Sequence, residues 1–133
     1  TYKARDERWF ILSMARSDDI WAGYCRVLGL EHLEKDPHFH THDMRLEYGQ
    51  ELMAILDRVF ASWDREELLP RLEEEGVICA PVHTYREVAK DPQVLVNEYI
   101  TEVEHPVAGR LLMVGIPIHF SRTPVKIKKG APS

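Results

Sequence analysis

The 133 residues predict an α+β domain in which several helices pack on a small, mostly antiparallel sheet. Three observations carry that prediction. Apolar residues recur at three- and four-residue steps over residues 48–63, the period of a helix with one buried face. Residues 9–12 and 77–82 are almost wholly apolar and of strand length. Leu112, Val114, Ile116, Ile118 and Phe120 recur at the two-residue period of a strand.

Trp9, Phe10, Ile11 and Leu12 suit a buried strand over residues 9–13, with the charged residues 5–8 in front of it. Ser17 is placed to cap a helix whose first turn holds Asp18 and Asp19, where the helix dipole favours carboxylates. Trp21, Tyr24, Cys25 and Leu28 share one face of that helix, and Gly29 ends it. Residues 30–43 lack a sustained period and contain Pro37 and a His-x-His-x-His run, so a surface connection is expected. In the long helix that follows, Tyr48, Leu52, Ile55, Leu56, Val59, Phe60 and Trp63 face inward, while Glu47, Glu51 and Arg58 face away.

Asp64 and Glu67 read as a capping box for a third helix ending near Gly76, with Leu68, Leu69 and Leu72 inward. Pro70 conflicts with that helix, because it removes a ladder hydrogen bond and crowds the carbonyl four residues back; a kink, or a start near Pro70, is expected. Residues 77–82 return to strand. Thr84 with Glu87 forms a second capping box for a short helix, and Asp91 caps another whose first turn holds Pro92. Thr101 and Val103 then alternate with Glu102 and Glu104, residues 105–109 supply turn chemistry, and a strand follows over the alternating residues 112–120. The tail from residue 122, with two prolines and Lys126, Lys128 and Lys129, reads as extended and exposed.

A hydrophobic content of 44% over this length suits one globular domain. The net charge of -5, with dispersed Lys and Arg, argues against a nucleic-acid partner. No apolar run is long enough to span a bilayer and no signal-peptide opening is present, so no membrane partner and a cytoplasmic setting are expected. Cys25 and Cys79 are far apart in apolar contexts, and two cysteines make no disulfide framework; both read as reduced core residues.

Candidate site residues are few. His38, His40 and His42 could converge on a metal, yet no Cys or fixed carboxylate stands at ligand spacing beyond Asp36 and Asp43, and a solvated loop without metal is the preferred reading. Arg45, close to the expected cap Asp43, reads as a salt bridge tying the preceding loop to the helix, ahead of a phosphate-binding role. Trp21 and Trp63 read as core. The chain holds no Ser-His-Asp grouping, glycine-rich phosphate loop, CxxC pair or HExxH helix.

Several short motifs then line up in order. Asp36-Pro37-His38-Phe39 and Arg45 are followed by Gly76-Val77, Ala80-Pro81-Val82, Asp91-Pro92-Gln93, His105-Pro106 with Gly109, Pro117, Phe120-Ser121 and Thr123-Pro124. Together they resemble the small domain of the class III CoA-transferases, the CaiB/BaiF-like group that includes formyl-CoA transferase, carnitine dehydratase-like proteins and 2-methylacyl-CoA racemases. The resemblance runs over residues 9–132 and departs from the family at His38, where Arg is usual, and at Asp6-Glu7, where Asp-Gly is usual. Thr1 is not an initiator Met and the family runs on past Ser133, so a piece of a longer protein is expected.

The resemblance implies that residues 1–133 are a small domain, beside a large nucleotide-fold domain in an interlocked homodimer. It implies an acyl-CoA:carboxylate CoA-transferase in which an Asp of the large domain attacks the thioester, giving an aspartyl anhydride and then an aspartyl-CoA thioester. No residue here matches that Asp, so the chain is assigned no catalytic residue and is expected to be inactive alone. CoA, acyl-CoA and a carboxylic acid are the implied substrates, with no permanently bound cofactor. Lys126, Lys128 and Lys129 are the candidates for meeting the CoA phosphates. The racemase and carnitine dehydratase-like branches share the small domain and stay open, as does a non-enzymatic interaction or assembly module.

Overall fold

The computed structural model describes residues 1–13, 18–118 and 120–123, in two compact units that divide between Val82 and His83. The first unit holds strands β1 (Tyr2–Lys3), β2 (Trp9–Ser13) and β3 (Ile78–Pro81), and helices α1 (Trp21–Leu28), α2 (His42–Glu47), α3 (Gly49–Phe60) and α4 (Arg65–Glu74). The second holds α5 (Tyr85–Val88), α6 (Pro92–Val96), β4 (Ile100–His105) and β5 (Gly109–Val114). The α+β class follows, with every strand pair antiparallel: one sheet in the order β1-β2-β3 and a separate β4-β5 hairpin.

In the first unit β2 is central, pairing Phe10 with Tyr2 on one side and with Pro81 on the other. Its inward side chain Phe10 meets Phe60 of α3 edge-on at 5.1 Å, and Tyr2 meets the same ring at 4.8 Å. Such edge contacts add to the area these rings bury. Leu52, Leu56 and Phe60 form the buried stripe of α3, and Leu68, Leu69 and Leu72 that of α4, as their spacing predicts. Trp21, Tyr24, Cys25 and Leu28 of α1 complete the core, and Gly29 ends that helix in the left-handed region at φ 68°.

Several expectations are corrected. Asp18 and Asp19 precede α1, whose first turn contains no acidic residue; Ser17 lies outside the described residues. Residues 30–43 are more than a surface connection: they include a 3-10 turn, Glu31–Leu33, and bury Leu30, Leu33 and Phe39. Loops can bury single side chains without any period, which is why periodicity missed them. Thr41, not Asp43, caps α2, its side chain accepting from the Met44 N–H at 3.3 Å. Asp64 makes no side-chain cap on α4, because its carboxylate accepts from Arg5 Nε at 3.0 Å instead. Helix α4 neither starts at Pro70 nor stops there; it runs through that exposed residue to Glu74.

In the second unit the Thr84–Glu87 capping box and the Asp91 cap with Pro92 in the first turn are both present. Strand β5 ends at Val114, well short of Phe120. A side chain at Gly115 would overlap the Glu98 carbonyl oxygen, and its N–H donates to the Tyr99 carbonyl at 2.8 Å. Glycine is therefore required there, and the chain leaves the ladder at that contact.

Candidate functional site

The first motif, residues 36–39, folds as a tight turn. The Asp36 side chain accepts from the His38 N–H at 2.8 Å, and its carbonyl accepts from Phe39 and His40 N–H groups at 3.0 and 2.9 Å. That arrangement drives Phe39 into the core, where it is 1% exposed. The three histidines serve separate ends. His38 stacks on Tyr48 with ring centroids 3.9 Å apart and places Nδ1 3.3 Å from Glu51. His40 sets Nδ1 against the Asp36 and Pro37 carbonyls, both at 3.2 Å, and His42 opens α2. Among the described residues no group of three or more His, Cys, Asp or Glu could hold a metal ion.

Arg45 is the buried cation of this region, its side chain 6% exposed. Nη1 donates to the Phe39 carbonyl at 2.8 Å and Nη2 to Asp18 at 2.6 Å, with the guanidinium 4.5 Å from the centre of the Trp21 ring. The guanidinium thus ties the loop to the helix through a backbone carbonyl and not through the expected salt bridge, and its ion pair is instead with Asp18 in the segment before α1. The hydrogen bond from Arg45 holds the Asp18 carboxyl below its ordinary range. With both arms of the fork used and the head buried, Arg45 serves packing, not a solvent-borne phosphate. Asp18 escaped the sequence reading because it lies 27 residues from Arg45, with no periodic relation to it.

Beside Arg45 runs a groove of about 390 Å³, walled by Tyr2, Leu12, Leu52 and Leu56, with Ser13 and His42 also on it. Burial pushes the Cys25 thiol up to about 12 and raises that of Cys79 as well, so neither is a thiolate at neutral pH. Lys126, Lys128 and Lys129 lie outside the described residues. Trp21 is buried in the core, and Trp63 is half-buried and packs against it.

The CoA-transferase family III model matches residues 1–133, the whole of the chain. The chain belongs to CoA-transferase family III. This member of the family is 28% identical over 133 residues to an acyl-CoA transferase of Fusarium pseudograminearum, covering 98% of the chain and 29% of that protein. It is 28% identical over 123 residues to the succinyl-CoA–D-citramalate CoA-transferase of Chloroflexus aurantiacus, covering 92% of the chain and 30% of that protein. A CaiB/BaiF family protein from Brucella suis superposes with a TM-score of 0.84 at 26% identity, over 100% of this chain and 33% of that one. The fold alone is shared with Rv3272 of M. tuberculosis, at a TM-score of 0.74 and 21% identity over 96% of this chain and 35% of that one. The chain thus spans less than a third of the length of these curated relatives. Among the described residues no helix is long and apolar enough to cross a membrane.

Proposed function

We propose that this family III segment works as the small domain of a longer protein that moves CoA between carboxylic acids. The observation that carries the reading is the family match over residues 1–133, together with relatives named as CoA-transferases. Chemistry agrees with a supporting part: burial raises the pKa of both thiols, Cys25 and Cys79, away from the range of a reactive thiolate. CoA is passed through a carboxylate nucleophile on a large domain outside these residues. The aspartate takes the acyl group as an anhydride and frees CoA thiolate, and the thiolate returns to give an aspartyl-CoA thioester as the donor acid leaves. The acceptor acid then receives CoA as the aspartate is regenerated. Two such proteins interlock as a homodimer, and the cytoplasm, where CoA thioesters are made and used, is the setting.

Lys126, Lys128 and Lys129 are proposed as this chain's contribution to substrate binding. Three ammonium groups within four residues offset the phosphate charge of CoA in a chain whose net charge is -5. The function is tested by incubating the family-length protein with an acyl-CoA donor and a second carboxylic acid, and separating the thioesters. Appearance of the new thioester is expected. Epimerisation at the carbon α to the thioester without exchange of the acid would move the protein to the racemase branch and overturn the transferase reading.

A further inference from the structure

The three-stranded sheet of the first unit is apolar on both faces, and the described residues of that unit cover only one. Tyr2, Phe10, Leu12 and Cys79 pack against the helices. The residues between them form the opposite face. Ile11 stands opposite Ala80 and Ser13 opposite Ile78, and the Val82 N–H donates to the Trp9 carbonyl at 2.9 Å, so the outward side chains are contiguous. There Trp9 is 48% exposed, Ile11 49%, Ile78 69% and Val82 43%.

An antiparallel sheet with one wet face alternates apolar and polar residues along each strand. Residues 9–12 and 77–82 do not alternate; nearly every position is apolar, the composition of strands covered on both sides. The sequence therefore specifies a layer that the described residues of this unit leave off this face, and contiguous apolar surface of this kind marks a packing site.

We propose that this outer face seats a second structural layer, an apolar surface supplied by the rest of a family-length polypeptide. The inference rests on the reading of the chain as part of a longer protein. Length favours that occupant over a second copy of the chain: relatives of which this chain covers 29–30% carry more than two thirds of their residues elsewhere, ample for a covering layer. Charge gives a second copy no help, since the charged residue aligned with Trp9, Lys3, is already paired with Glu7.

The test places a cysteine on the face by Val82→Cys and follows its alkylation by mass spectrometry, in the 133-residue chain and in the family-length protein. Buried Cys25 serves as the internal control for unfolding. The introduced thiol should react freely in the 133-residue chain and roughly tenfold or more slowly in the family-length protein. Equal rates would overturn the proposal. So would protection in the 133-residue chain, which means a second copy if it grows with concentration and cover from within the chain if it does not. Ile78→Cys repeats the measurement should the first variant fail to fold. A protected thiol in a family-length protein that transfers no CoA would sink the functional reading and leave the packing inference standing; an open thiol with intact transfer would do the reverse.

Discussion

Glu7 holds φ 63° in the turn between β1 and β2, a conformation in which a side chain meets its own backbone and glycine does not. Glu7→Gly removes the strain at the loss of an exposed ion pair to Lys3, which is worth little. The variant should gain about 0.5–1 kcal/mol, read as a higher urea midpoint with unchanged slope; a lower midpoint would refute the strain. The Arg45–Asp18 contact makes a pH-dependent prediction. The Asp18 carboxyl is held low by Arg45, so its stabilisation is present above the unfolded value of about 3.9 and is lost as pH falls through the lower folded value. Asp18→Asn should therefore be less stable than the parent at pH 7, with the gap closing in strong acid. A gap independent of pH would remove the ion pair from the account. At this scale the sequence revealed that Arg45 ties its loop to its helix, but not its partner, because no local rule links residues 27 positions apart.

Helix α4 shows where an element-level rule was overridden. Pro70 cannot donate to the carbonyl four residues back, yet α4 continues through it because Leu68, Leu69 and Leu72 are held in the core. Pro70 itself is exposed, so Pro70→Ala costs no core packing and restores one hydrogen bond. A gain of about 1–3 kcal/mol in a denaturant titration is expected; a loss would mean that the local backbone needs the ring. The periodic helix α3 and the capped helices α5 and α6 were legible, since each has a strong local signature, but the single long helix expected from Arg45 to Trp63 breaks at Tyr48 into α2 and α3 and ends at Phe60. The two-residue β1 and the buried Leu33 and Phe39 were not legible, because short strands and single anchors in loops leave no period to read. The end of β5 is of the same kind: alternation continues past Gly115, but a close backbone approach stops the strand.

On the scale of the whole molecule, the α+β class and the family were both readable, the class from periodicity and the family from the order of many short motifs. Two limits of that reading share one physical cause. The strands were taken as buried, as their composition demands, while the described residues of the first unit cover only one face of the sheet; and no catalytic group could be named. Both follow if this chain is the supporting part of a larger acyl-CoA-handling protein, meeting CoA through charge and leaving the reaction to residues elsewhere. The direct test of that claim is a calorimetric titration of the 133-residue chain with CoA at low salt. The account predicts saturable heat that weakens as salt is added and disappears when Lys126, Lys128 and Lys129 are all replaced by Ala. No heat at low salt, or binding untouched by the triple replacement, would contradict it.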